Sequence, residues 1–205
     1  MRKPTAKTVE EVNIYLEYLI AQSSLRYIDT GEGEWNDLRV SLSTGIPNTS
    51  PPTFGTFRNG VQAWAFGAGS TEQLYFEAQM PHGWVIGSEV RPHIHWSPGN
   101  STNTGAVVWE LEYTWQNAGD EVFPATTTVT VQQVAAGVAY AHQIASFPPV
   151  DGTGKRESSV FLCRIARVGG SGEDTFTGSA FGISVDFYYQ AAALGSTDEY
   201  PAVEA

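Results

Sequence analysis

Between Gly105 and Gln116 the side chains alternate without a break. Val107, Trp109, Leu111, Tyr113 and Trp115 fall on one face of an extended chain, and Val108, Glu110, Glu112 and Thr114 fall on the other. Five large apolar residues at period two are the signature of a strand with one buried face. The same rhythm recurs at Val61 to Phe66, Leu74 to Gln79, Val90 to Trp96, Thr126 to Gln132, His142 to Phe147, Val160 to Val168 and Phe181 to Tyr189. Asn59-Gly60, Asn117 to Asp120, Asp151 to Gly154 and Gly169 to Gly172 separate these runs with residues that tolerate the positive φ of sharp reversals. Eight short strands with almost no helix between them leave no crossovers for a parallel sheet. The pattern predicts an all-β fold, an antiparallel β-sandwich of jelly-roll type.

One segment reads as a helix. Thr8 and Glu11 form a capping box, and Val9, Val12, Leu16, Leu19 and Ile20 then recur at three- and four-residue steps. The predicted organisation is an N-terminal arm with this amphipathic helix over residues 1–34, the sandwich over 35–190 and a polar C-terminal extension over 191–205. The helix stripe needs a cover, either its own domain or a neighbouring subunit, with Val12, Leu16 and Leu19 as the interface anchors. Ser43 to Phe57 and Phe147 to Lys155 read as Pro-, Gly-, Ser- and Thr-rich loops.

Charge and composition narrow the function. The 205 residues carry 11 basic and 22 acidic side chains, a formal net charge of −11, which disfavours a nucleic-acid partner because such binding starts with cations. The basic start MRKPTAKTVEEV has no apolar stretch behind it, and no run approaches the roughly 20 apolar residues of a membrane span, so no membrane partner is expected. The single cysteine, Cys163, excludes an internal disulfide and reads as a buried small hydrophobe in a protein made in a reducing compartment.

Several patterns bear on chemistry. Gly87 to His95 has the G-x5-H-x-H spacing of the first cupin motif, and period two puts His93 and His95 on one face, where both could ligate one divalent metal. That resemblance stops after nine residues. Gly99 and Asn100 stand where a cupin glutamate should follow, and the surroundings of His142 lack the second motif. If Val90, Ile94 and Trp96 face the core, the two histidines point outward, away from the interior where a cupin metal sits. No cofactor is expected, and the alternative is a structural divalent metal on His93 and His95.

Glu110 and Glu112 share a face, as paired carboxylates of glycoside chemistry do, but on a half-buried strand they read as the solvated side. Asp186 is expected to neutralise Arg164 or Arg167 across a sheet. Gly152 to Lys155 fails as a phosphate loop, because Pro149 replaces the first glycine and Arg156 the Ser/Thr. No G-x-S-x-G elbow is present. A sugar platform would need exposed rings. Trp109, Tyr113 and Trp115 belong to the core by their alternation, and Trp64, Trp84 and Trp96 stay open for that role.

Taken together, Pro92 to Trp96, Trp109 to Trp115, Asp151 to Lys155 with Ser158-Ser159, and Asp186 to Gln190 with Gly195 to Tyr200 resemble a group of tailed-bacteriophage virion proteins. These are small jelly-roll components that decorate or cement the head, or sit at its neck or tail, often as trimers. The resemblance implies a non-catalytic structural protein, a homotrimer partnered with major capsid or tail proteins, made in the bacterial host cytoplasm and located in the virion. It brings no catalytic residues. A cupin-like metal-dependent enzyme using His93 and His95 and a glycan-binding module are the alternative readings.

Overall fold

In the computed structural model, which describes residues 34 to 191 except Asn103, Asp120 and Glu121, the alternating runs are strands. In chain order they are β1 Glu34–Ser41, β2 Ile46–Pro47, β3 Thr53–Arg58, β4 Val61–Phe66, β5 Thr71–Gln79, β6 Val90–Pro98, β7 Ala106–Gln116, β8 Thr127–Val134, β9 Gln143–Ser146, β10 Val160–Val168 and β11 Ala180–Ala191. A 3-10 turn, Leu42–Thr44, separates β1 from β2. All pairings are antiparallel. The first sheet runs β3-β4-β11-β6-β9, with β1 also on β11, and the second runs β2-β5-β10-β7-β8. The fold is the antiparallel sandwich of jelly-roll type that the alternation predicts.

The expected loop from Ser43 to Phe57 is corrected: it holds β2 and most of β3. Both were hidden because their burial is slight and irregular, Ile46 being 66% exposed and Phe54 45%, so neither shows the one-sided alternation of a half-buried strand. Glu34–Ser41, not among the expected strands, has only Leu38 and Val40 turned onto the core, too few apolar positions to mark it by alternation. His142 lies just outside β9. The predicted helix with Val12, Leu16 and Leu19, and all but the first residue of the C-terminal extension, lie outside the described residues.

The inward faces interlock through rings. Phe161 of β10 stacks on Trp115 of β7 at 4.2 Å and on Phe187 of β11 at 5.0 Å, joining the two sheets. Phe66 meets Trp109 edge-on at 5.2 Å. Ile94, Trp96, Trp109, Leu111, Phe161 and Phe187 are fully buried, each contributing about 1.5–3 kcal/mol relative to exposure. Burial pushes the Cys163 thiol well above its ordinary range, in keeping with an inert core residue.

β11 exchanges partners part-way along. Ala180 to Gly182 pair with β4, and Ser184 to Ala191 pair with β1 on the same edge, while β6 follows along the other edge. The exchange coincides with a register shift between Gly182 and Ser184. A Cβ at Gly182 would stand 2.8 Å from the Phe66 ring and 2.9 Å from a Leu42 methyl, closer than packing permits.

Arg167 occupies an inward position on β10 and is fully buried. Its Nε and Nη2 donate to Asp174 at 2.9 and 2.7 Å, and Nη1 donates to the carbonyls of Phe66 at 3.0 Å and Gly178 at 2.6 Å. Nη2 also donates to the Phe176 carbonyl. Asp174 Oδ2 in turn accepts from the backbone N–H of Val108 at 3.1 Å. The expectation that Asp186 neutralises Arg164 or Arg167 is therefore corrected, since Arg167 is claimed by an aspartate seven residues further along its own chain.

Arg167→Met, which leaves Asp174 buried without its partner, is expected to cost about 3–5 kcal/mol, a fall in Tm of roughly 10 °C or more by calorimetry. Gly182→Ala is expected to cost about 1–3 kcal/mol through overpacking, and an unchanged denaturant midpoint would show that Phe66 and Leu42 yield freely.

Candidate functional site

The outward face of the first sheet is built in rows by strand register. Arg39, Asp186, His93 and Ser146 face one another across β1, β11, β6 and β9, and Ser41, Ser184, His95 and Ile144 form the next row. Because side chains alternate, these residues stand opposite the core positions Val185, Phe187, Ile94 and Trp96. The histidines do point outward, so their cluster lies on the outside of the sandwich and not between the sheets, where the cupin resemblance would have put a metal.

Outward does not mean exposed. His93 is 7% exposed and Asp186 4%. His93 packs edge-on against Tyr188 at 4.7 Å and lies 5.0 Å from the His95 ring. His95 Nε2 is 3.2 Å from Asp186 Oδ2, and His93 Nε2 is 3.9 Å from the same oxygen. One donor atom from each of the three lies within 4.8 Å of the other two. Neither His95 Nε2 nor Asp186 Oδ1 finds a hydrogen-bond partner among the described residues, and Ser184 Oγ beside them is equally unpaired.

His142 completes the group. It arrives on the β8–β9 connection, which reverses through Gly137 at φ 71° and Tyr140 at φ 63°. Tyr140 is held there by its N–H to the Pro98 carbonyl at 2.8 Å and by the Phe57 ring at 5.3 Å. The His142 ring stacks on His95, and its Nε2 lies 2.7 Å from His95 Nδ1. Burial lowers the His95 pKa from its ordinary value, opposed by the Asp186 charge and reinforced by His93 and His142. With Nδ1 engaged by His142, the Nε2 atom of His95 is the one turned toward Asp186. Across the sheet Asp37 is raised, first by burial and then by the charge of Asp186.

Sequence spacing named His93 and His95 but neither of their partners. Asp186 lies far along the chain and was assigned to an arginine; only the pairing of β11 with β6 brings it opposite His93. His142 was set aside because its local sequence carries no motif. The alternation places both histidines on the outward face, and on that face His93 is buried.

The outward face of the second sheet carries a different arrangement. Arg164 donates to Glu112 at 2.7 Å, to Glu110 at 2.5 Å and to Gln73 at 3.0 Å. Tyr75 Oη accepts from Asn48 at 2.8 Å and Gln73 at 3.2 Å. A cavity of about 820 Å³ is lined by Arg164, Glu112, Gln73 and Tyr75 together with Thr114, Thr126 and Leu162. The two glutamates thus serve Arg164. Hydrogen bonds from Thr126 and Arg164 hold Glu112 below its ordinary value, which makes it a poor proton donor. Of the tryptophans left open, Trp84 and Trp96 are buried, and Trp64 packs against the core.

No family model matches the chain, and no curated protein matches it. Among solved structures it is similar to the carbohydrate-binding module CBM36 in complex with calcium and xylotriose, at 10% identity over 73% of this chain and 98% of that one, with a TM-score of 0.41. It is similar also to CBM35 from Cellvibrio japonicus Abf62, at 12% identity over 76% and 98%, TM-score 0.44. A third similarity is to TmCBM61 in complex with beta-1,4-galactotriose, at 12% identity over 82% and 97%, TM-score 0.33.

A carboxylate whose folded pKa lies below its unfolded one binds fewer protons when folded, so its contribution is present above the unfolded value and lost as pH falls. Stability is therefore expected to decline below about pH 4.5, the ordinary value for Glu112. Glu112→Gln should flatten that acid limb in urea midpoints measured between pH 3 and 6, and an unchanged slope would remove Glu112 as its source.

Proposed function

We propose that this chain is a non-catalytic structural protein of a bacteriophage virion, a jelly-roll protomer that decorates or cements the head or acts at the neck or tail. Its work in this reading is binding, to copies of itself as a homotrimer and to major capsid or tail proteins.

The observation that carries the reading is how the resembling segments are used. They lie far apart in sequence, yet those within the described residues bond to one another as framework. Pro92 to Trp96 lies in β6 directly beside β11, which holds Asp186 to Gln190. Trp109 to Trp115 is the middle of β7, and Trp115 Nε1 donates to Ser159 Oγ at 2.8 Å. The turn Asp151 to Lys155 is tied to the β7 end, where Asn117 Nδ2 donates to the Gly154 carbonyl at 3.0 Å and Lys155 to Gln116 at 3.1 Å. In this reading the resembling segments serve to hold a sandwich together, as expected of a protein selected for shape. Apolar side chains on strands and loops also remain to be covered: Ile46, Val61 and Val134 are 60% exposed or more, and Val122 86%.

A second reading, a glycan-binding module, is favoured by one observation, the cavity on the second sheet. Tyr75, Arg164, Glu112 and Gln73 are already fixed by their mutual hydrogen bonds, which is the preorganised mixture of ring and polar groups that a saccharide requires.

Light scattering on the untagged full chain is expected to give three times 22.2 kDa, and Leu16→Asp is expected to lower that mass or the melting temperature. A chain of 22.2 kDa at every concentration, unaltered by Leu16→Asp, would remove the assembly reading. Saturable binding on a glycan array, abolished by Tyr75→Ala in a chain that remains monomeric, would establish the second reading instead.

A further inference from the structure

The three groups His93, His95 and Asp186 stand in a relation that hydrogen bonding does not explain. A protonated His95 would face Asp186 as an ion pair at 3.2 Å, whereas a neutral one places its single ring proton on Nδ1 or on Nε2. With the proton on Nδ1, shared with His142, the Nε2 lone pair is turned toward a carboxylate oxygen 3.2 Å away, which is repulsive unless a cation lies between them. With the proton on Nε2, that N–H still lacks the direction to reach the carboxylate, since the atom has no hydrogen-bond partner. Asp186 is meanwhile buried with Oδ1 unpaired, a costly state for a charged oxygen. Arg39 stands in register across β11 but forms no ion pair with Asp186 among the described residues.

We propose that His93, His95 and Asp186 are the ligands of a divalent transition-metal ion of the zinc class, and that His142 is a positioning residue that holds the His95 ring for ligation. The inference goes beyond the structural role proposed above and does not depend on it.

The donor set selects the ion. Two imidazole nitrogens and one carboxylate oxygen suit zinc, cobalt or nickel, whereas calcium and magnesium require six or more oxygens. The spacing agrees. A tetrahedral ion with bonds of about 2.0–2.2 Å sets its donors roughly 3.3–3.5 Å apart. The His95–Asp186 and His93–Asp186 separations are 3.2 and 3.9 Å and all three donor atoms lie within 4.8 Å of one another, so the histidine rings must draw closer to Asp186 and to each other to complete the trio. Three protein ligands leave a fourth place on such an ion to water. His142, bonded to the far nitrogen of His95, has the role that outer partners of metal-bound histidines commonly fill, fixing tautomer and ring plane. Because Asp186 belongs to β11 and the histidines to β6, the ion would clamp the two central strands of the first sheet.

The test uses the full chain purified without an affinity tag, stripped with chelator and titrated with zinc by calorimetry, with cobalt(II) absorption as a second readout. One zinc per chain is expected, together with the intense visible bands of four-coordinate cobalt and a higher melting temperature than in chelator. Affinity should fall at least tenfold in both His93→Ala and Asp186→Asn. His142→Ala should weaken binding by about 10–100-fold and His142→Gln should restore part of it, a recovery that loss of packing alone would not show. His82→Ala, remote from the cluster, should bind like the parent. Absence of saturable zinc uptake by the folded parent chain overturns the proposal whatever the variants do. Uptake undiminished in His93→Ala and Asp186→Asn overturns it as well, and so does tighter binding of calcium in a parallel titration.

Discussion

Much of the sandwich is organised around the buried guanidinium of Arg167. A cation at an inward position of a central strand would be ruinous alone, since removing a charge from water costs several kcal/mol even after relaxation. Here it is answered on all sides, by both oxygens of Asp174 and by the carbonyls of Phe66, Phe176 and Gly178. Those partners belong to the end of β4 and to the segment leading from β10 to β11, and Asp174 reaches Val108 on β7. One side chain thereby fixes where β4 ends, how the chain passes from the second sheet back to the first, and where β11 begins. The exchange of partners along β11 follows from that start, because the strand first runs beside β4 and then, past the tight contact at Gly182, beside β1.

The two outward faces show what a satisfied polar cluster looks like beside one that is not. On the second sheet Arg164 is matched to Glu110, Glu112 and Gln73, with charge and hydrogen bonds both accounted for. On the first sheet three titratable side chains converge, but His95 Nε2 and Asp186 Oδ1 find no hydrogen-bond partner among the described residues although the group is the more deeply buried. Proteins seldom retain buried, unpaired polar groups without a reason. The contrast within one molecule is what turns a cluster of histidines into a candidate site.

The alternation in β7, β6 and β10 made the fold class legible, and it also placed His93 and His95 on one outward face. What it could not supply was register. Asp186 reads as an ordinary outward residue of its own strand, and which cation or imidazole it meets depends on whether β11 lies beside β6 or β10. Arg167 was hidden for a different reason. Its period-two position marks it as inward, but a charge there breaks the apolar pattern, and its partner Asp174 sits in a glycine-rich turn that sequence reading treats as solvent-facing. β1 and β3 escaped because alternation is a signal of one-sided burial, and strands such as these, with most side chains on both faces exposed, carry little of it.

The structural reading and the proposed ion meet at β11. A cross-link does most to hold a fold where several strands meet. β11 has neighbours along both edges, so a bond from Asp186 to the β6 histidines acts on β1, β4, β6 and β9 at once. A metal at this point needs no open cleft and no substrate to be useful. The same reasoning explains why His142 comes from a connecting loop and not from a strand. The loop bends through Tyr140 to deliver one ring against His95, spending backbone strain of order 1–3 kcal/mol on orienting that side chain.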